Sequence, residues 1–363
     1  MADPKYIDSM KTDHLPEMML EKGDKLQKAE AKLKVHPYHM ESWNVLIKDA
    51  QELKCKNFER VESLFQRCLL KVLNLDLWKF YLTYVKETKR GLPNFREKMM
   101  KAYEFALDKV GIDVASGNIW SDYVNFIKDG EAAGSYAENQ KIMAIRRVYQ
   151  RAVMMPLSNV EQLWRDYSTF EQNVNEIIAK KLLEERSRDY QNARRVAKDY
   201  EATTRGLTRG APAVPPQNSA EERQQIEMWK KYIAWEKNNP MRSDDNNLMK
   251  KRVMYAYEQA LLTWGHHPDI WYEAALFLER SANLVHEKGD TQSAQHWRDE
   301  VAALYEKATK GLLKNNLLLH FAFADYEESR MKTKECHDIY TNLVSTVPDP
   351  TLVIILNSSS IRR

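Results

Sequence analysis

Large aromatic side chains recur at every third position along this chain, with mostly polar residues between them. In QLWRDYSTFE, residues 162–171, Trp164, Tyr167 and Phe170 lie three apart and share one helical face. The spacing returns as Trp78, Tyr81 and Tyr84; as Trp120, Tyr123 and Phe126; as Trp229, Tyr232 and Trp235; and, with a histidine leading, as His320, Phe323 and Tyr326. Weaker copies begin at Trp43 and Trp271. A second pattern alternates with the first, a ring three residues before a small or apolar side chain: Phe65 and Cys68, Tyr103 and Ala106, Tyr149 and Ala152, Tyr190 and Ala193, Tyr257 and Ala260, Tyr305 and Ala308, Tyr340 and Leu343. Within each pair the second ring follows the leading residue by 20 to 34 positions, room for two helices and a short turn. Seven helical hairpins are predicted. Their leading residues fall 35 to 49 apart, except for one interval of 65, which is the period of helical-pair solenoids. The expected fold class is all-α, an α-α superhelix. A lone helix pair cannot bury such a stripe, so the rings are read as packing between neighbouring hairpins, with the alanines admitting them.

Punctuation along the chain sets the expected organisation. Residues 1–24 are expected to be a disordered N-terminus, and residues 25–205 an N-terminal arm of hairpins. That arm starts with a short helix broken at His36 and Pro37, and its next second helix runs to about Val72. GLPNF around Pro93 is a turn, and KDGEAAGSYAENQ, marked by Gly130 and Gly134, is read as a loop. A helix without a breaker runs from about Asn175 to Thr204. GLTRGAPAVPPQNS, residues 206–219, holds two glycines and three prolines and is read as a linker, which explains the long interval; Asn218, Ser219 and Glu222 are placed to cap the next helix. Residues 220–347 begin a C-terminal arm, in which EKGDTQSAQHW lies in a turn and Pro268 follows a helix end. Residues 348–363 form an incomplete repeat and polar tail. With no complete successor to the last hairpin, Phe321, Phe323, Ile339, Val353, Ile354 and Ile355 are expected to form an exposed apolar patch.

Composition agrees with helices: only 11 glycines and 12 prolines occur in 363 residues, too few for many tight turns. Lys and Arg number 55 against 52 Asp and Glu, so no overall field favours nucleic acid. The best local basic patch is Arg186, Arg188, Arg194, Arg195, Lys198 and Arg205, a candidate RNA or partner surface; Glu184, Glu185, Asp189, Asp199 and Glu201 interleave with it, and a solvated helix face is the simpler reading. Cys55, Cys68 and Cys336 are scattered without CxxC pairing, which points away from zinc or disulfides and toward a reducing compartment, with Cys68 a small core residue. His266 and His267 are adjacent and do not converge on a helix, so capping is favoured over metal binding. Phosphate loops, zinc-protease helices and nucleophile elbows are absent. No cofactor and no catalytic residue is assigned, and an enzyme is not expected. The N-terminus lacks the apolar run of a secretory signal, and no run approaches the ~18 residues of a membrane span.

The W-x-x-Y-x-x-[FWY]-E helix, complete at Trp164 to Glu171 and Trp229 to Glu236, followed by Y-E-x-A, resembles the HAT (half-a-tetratricopeptide) repeat. ESLFQRCLLKVLNLDLWK, GSYAENQ, RRVYQRA, ERSRDYQNARRVAKDYE, APAVPPQN, TWGHHPDIWYEA and FADYEESRMK resemble the suppressor-of-forked family over nearly all of residues 25–352. That family is the HAT-repeat subunit of cleavage stimulation factor. The resemblance implies a nuclear, non-enzymatic scaffold of pre-mRNA 3′ end formation, bridging an RNA-binding subunit and a WD-repeat subunit to the polyadenylation specificity factor and meeting pre-mRNA mainly through them. Two departures stand out. Between Trp43 and Phe58 one family repeat is missing, and after Leu352 family members continue with more repeats and a proline-rich tail. A truncated or alternatively spliced form is therefore expected, and the family's homodimer is not carried over. Two alternatives use related helix pairs: a HAT scaffold of splicing or ribosomal RNA processing, and the α-type subunit of a prenyltransferase.

Overall fold

A computed structural model describes residues 24–52, 58–69, 71–346 and 353. The expected disorder of the N-terminus, Cys55, and the apolar tail positions Ile354 and Ile355 lie outside these residues. The described residues form helices, turns and no strand, and they divide into two compact units between Arg205 and Gly206.

The first unit contains α1 (Asp24–Val35), α2 (Met40–Glu52), α3 (Phe58–Leu69), α4 (Leu75–Thr88), α5 (Phe95–Val110), α6 (Gly117–Lys128), α7 (Ser135–Ala152), α8 (Val160–Val174) and α9 (Glu176–Thr203). The second contains α10 (Ala220–Lys237), α11 (Asn246–Trp264), α12 (Pro268–Glu287), α13 (Thr291–Lys310), α14 (Leu317–Ser329) and α15 (Thr333–Thr346). Within each unit every helix packs on the next in sequence, and α12 also reaches α14, the first helix of the following hairpin. This one-neighbour packing is the logic of a helical solenoid. The seven motif pairs fall on α2 and α3, α4 and α5, α6 and α7, α8 and α9, α10 and α11, α12 and α13, α14 and α15.

Helix starts follow their caps. Asn175 is extended (φ −165°, ψ 111°) and its side chain accepts from the Ile177 and Ile178 amides at 3.1 Å, so one residue separates α8 from α9. Asp245, Asp290 and Asn316 do the same for α11, α13 and α14. Ser219 and Glu222 close a capping box on α10: Ser219 Oγ accepts from the Glu222 amide at 3.1 Å, and Glu222 accepts from the Ser219 amide at 3.3 Å.

Several expected boundaries shift. The α3 helix ends at Leu69 instead of near Val72. SYAENQ belongs to α7, because Gly134 alone takes the left-handed conformation (φ 87°) that ends the loop. TQSAQHW belongs to α13, since Asp290 accepts from the Ser293 amide and starts the helix there. Pro268 opens α12 at its first turn, where its missing N–H costs nothing, while α11 has already ended at Trp264. Residues 206–219 are strapped to the second unit: Gln225 of α10 donates to the Gly206 carbonyl and accepts from the Thr208 amide, both at 2.9 Å, and Thr263 of α11 donates to the Ala211 carbonyl at 3.1 Å.

The last hairpin is better covered than its sequence suggests. Val353 is fully buried in a cluster with Ala324, Cys336, Tyr340 and Leu343, and Phe321 and Ile339 are half-buried against it. Phe323 stacks on Tyr305 with ring centres 5.6 Å apart. The expected open patch is therefore corrected at Val353, Phe321, Phe323 and Ile339.

Candidate functional site

Within each unit the recurring rings form a ladder in which one hairpin is keyed to the next. The ring of the second helix sits against the second and third rings of the following first helix: Phe65 against Tyr81 and Tyr84 (5.5 and 5.4 Å between centres), Tyr103 against Tyr123 and Phe126 (4.9 and 5.7 Å), Tyr149 against Tyr167 and Phe170 (5.6 and 5.7 Å). In the second unit Tyr305 meets Phe323 and Tyr326 at 5.6 and 5.9 Å, and Tyr257 meets Phe277 at 6.4 Å. These separations are those at which aromatic pairs attract beyond simple burial. Tyr190 differs: it stacks flat on Trp164 of its own hairpin, 4.4 Å apart with planes 3° from parallel.

Burial sorts the residues picked out by the sequence. Trp43, Trp78, Tyr103, Trp120, Tyr123, Tyr149, Tyr167, Tyr190, Trp229, Tyr232, Tyr257, Trp271, Tyr305 and Tyr326 are buried, as are Ala106, Ala152, Ala193, Ala260 and Ala308. Tyr81, Trp164, Phe170, Trp235 and Phe323 are half-buried, so Trp164 is a stacking surface residue as much as a core one. Cys68 is buried, and burial pushes its thiol up to about 12.

Three devices accompany the ladder and were not singled out in the sequence. Three leading tryptophans tie their helix to the turn before it: the indole N–H of Trp43 donates to the Pro37 carbonyl at 2.8 Å, that of Trp120 to Gly111 at 3.0 Å, and that of Trp271 to Gly265 at 2.8 Å, whereas the buried indole N–H groups of Trp78 and Trp229 find no partner among the described residues. His320 takes the same place, its Nε2 donating to the Lys314 carbonyl at 2.9 Å, which is why histidine can stand for tryptophan there. Burial lowers the His320 pKa and favours the neutral ring. The second device is a lysine eight positions after the lead. Lys128 Nζ lies 5.1 Å from the Tyr149 ring centre and 5.8 Å from Phe170, and Lys237 lies 5.2 Å from Tyr257 and 5.8 Å from Phe277.

The third device is a buried carboxylate directly after the third ring. Glu171 is 1 % exposed and takes both arms of Arg146 at 2.6 and 2.7 Å; Glu236 is 2 % exposed and takes Arg252 at 2.7 and 3.0 Å. Glu327 is buried beside Arg330 at 3.3 Å, and burial raises its pKa. The signal was the terminal E of W-x-x-Y-x-x-[FWY]-E. Its arginine partners lie at no constant spacing, so only the fold reveals the pairs.

On α9 the candidate basic patch is largely compensated. Arg194 meets Glu161 at 2.5 Å, Lys198 meets the same carboxylate at 3.9 Å, Arg195 meets Asp199 at 2.8 Å, and Arg186 meets Asp189 at 3.5 Å. Arg194 holds the Glu161 carboxyl below its usual range. Arg188 and Arg205 are exposed, with no ion pair among the described residues. His267 stands at the N-cap of α12 but makes no capping bond with its side chain; it pairs with Glu222 at 3.0 Å instead, which corrects the capping expectation. Among the described residues no three His, Cys, Asp or Glu side chains converge as a metal-binding group, and no helix is long and apolar enough to cross a membrane.

The family model described as suppressor of forked protein matches residues 24–351. The chain belongs to the suppressor-of-forked family. It is 44 % identical to the protein suppressor of forked of Drosophila melanogaster, covering 94 % of this chain and 53 % of that protein. It is 33 % identical to the mRNA 3′-end-processing protein rna14 of Schizosaccharomyces pombe (88 % and 41 % covered) and 32 % identical to cleavage stimulation factor subunit 77 of Arabidopsis thaliana (86 % and 40 %). The chain thus spans about half the length of these curated relatives. The first alignment runs over 404 positions while covering 94 % of the chain's 363 residues, about 341, so at least about 63 positions of the Drosophila protein have no counterpart in it, more than one helix pair. The crystal structure of CstF-77 aligns with a TM-score of 0.50 at 19 % identity, covering 84 % of this chain and 66 % of that one, a likeness of fold. The rings and alanines of this suppressor-of-forked chain thus mainly build the solenoid.

Proposed function

We propose that the protein is a non-enzymatic scaffold of pre-mRNA 3′ end cleavage and polyadenylation, acting in the nucleus and linking an RNA-binding subunit to the polyadenylation specificity factor. The observation that carries this reading is family membership across residues 24–351, with relatives named for mRNA 3′-end processing and for cleavage stimulation factor. Those names favour it over splicing, ribosomal RNA processing and prenyl transfer. The architecture supports the same reading, because a solenoid uses its rings for internal packing and keeps broad helix surfaces for proteins. Contact with pre-mRNA runs mainly through the partner subunits: four of the six basic residues of the candidate patch are already ion-paired, and phosphate binding needs uncompensated charge. The arms are best taken as two, residues 25–205 and 220–347. Purifying the tagged chain from nuclease-treated nuclear extract tests the proposal. Enrichment of cleavage and polyadenylation subunits over spliceosomal and ribosome-assembly proteins is expected; the reverse enrichment would refute it.

A further inference from the structure

The strap between α9 and α10 has a face that packing leaves unused. Residues 211–216 read Ala-Pro-Ala-Val-Pro-Pro, in which Pro212 and Pro215 lie three apart. Proline fixes φ near −65°, and a residue before proline is pushed into extended backbone, so Ala211, Val214 and Pro215 are held extended as well. Five of the six residues are thereby biased to polyproline II, a helix of three residues per turn with three edges. One edge carries Ala213, which is 3 % exposed, and Pro216, which is exposed. The other two edges carry Ala211 with Val214 and Pro212 with Pro215. Val214 is 42 % exposed, and Pro212 and Pro215 are exposed.

The strap is anchored on both sides of this run. Gln225 holds Gly206 and Thr208, Thr263 holds the Ala211 carbonyl, and the Gln217 amide donates to Glu222 at 2.9 Å. Between those anchors the carbonyls of residues 212–216 accept no hydrogen bond from the described residues. A cation sits next door: Arg209 is exposed, its guanidinium 3.4 Å from Gln259, and Gly210 (φ 82°) turns the backbone from it into the proline run.

We propose that residues 211–216 are a preformed docking strand for a protein domain of the SH3 type. Such a domain takes two successive X-Pro pairs into aromatic-lined pockets, here Ala211-Pro212 and Val214-Pro215, and leaves the third edge outside its groove. Ala213 on that third edge is the one buried residue of the run. Indole and phenol donors in the groove have the free carbonyls to bind, and an acidic margin has Arg209 to meet. The anchors hold the strand in its bound form beforehand, so little ordering entropy is lost on docking. This assignment stands on the strap alone and survives if the 3′-end-processing role fails.

The test titrates purified SH3, WW and EVH1 domains into the intact chain by calorimetry. Saturable binding of at least one SH3 domain is expected, weakened about tenfold or more by P212A/P215A and by V214D, and less by R209E. The thermal midpoint of each variant confirms that the solenoid is intact. A free peptide of residues 207–218 should bind the same domain several-fold more weakly, because it must be ordered on binding. Absence of binding by every SH3 domain, binding by WW or EVH1 domains only, affinity untouched by P212A/P215A or V214D, or binding by the peptide but not by the chain would each overturn the proposal.

Discussion

Glu171 shows what a single residue does here that its neighbours in sequence do not disclose. A carboxylate at 1 % exposure is tolerable only because Arg146 answers both its oxygens. Removing one partner strands the other charge, so Arg146→Met should cost about 3 kcal/mol or more, while Arg146→Met with Glu171→Leu should recover much of that loss. Denaturant titration of the two variants checks the difference. The tryptophans are graded by the same reasoning. Trp78 is wholly buried and its replacement by alanine should cost about 3 to 5 kcal/mol, whereas half-buried Trp164, stacked on Tyr190, should cost about 2. Both midpoints are read by the same titration. His320 adds a pH dependence. Its pKa is lowered in the folded chain, so the unfolded chain binds the extra proton; the stability it contributes is present above about 6.5 and is lost as pH falls toward the folded value. His320→Trp keeps a ring N–H for the Lys314 carbonyl and removes the titration. The wild-type chain should lose more stability than this variant between about pH 7 and pH 5, and equal losses would show that the histidine does not titrate in this way.

Between helices, much was legible and the remainder failed for identifiable reasons. The three-residue spacing marked both helices of each hairpin because side chains three apart share one helical face. Boundaries beside polar segments were less legible. SYAENQ and TQSAQHW look like loop, yet the left-handed Gly134 and the cap at Asp290 start their helices earlier. The partners of Glu171 and Glu236 were illegible because Arg146 and Arg252 come from helices that only packing brings alongside. Asn175 illustrates how little separates two elements: its side chain alone satisfies the first amides of α9. Asn175→Ala should cost about 1 kcal/mol and raise hydrogen exchange at Ile177 and Ile178 ahead of the rest of α9. Unchanged exchange at those two amides would mean that the cap does not hold this junction.

For the molecule as a whole, two compact units of one-neighbour helix packing and membership of the suppressor-of-forked family underlie one account: rings and alanines build the solenoid, and the proposed role places its partners on the outer surfaces. Family strings identified the chain from its sequence, because long runs such as ERSRDYQNARRVAKDYE specify more than a repeat pattern does. The basic stretch within that run was the weakest guide to function, since its charges are mostly paired in the fold. On the proposed role, chain added in excess should draw its partners away from productive complexes by mass action. The most direct measurement adds purified chain to nuclear extract and follows two reactions in parallel, cleavage of a pre-mRNA carrying a polyadenylation signal and splicing of a pre-mRNA carrying an intron. The account predicts that cleavage falls in proportion to the added chain while splicing holds; loss of splicing with cleavage unchanged would contradict it.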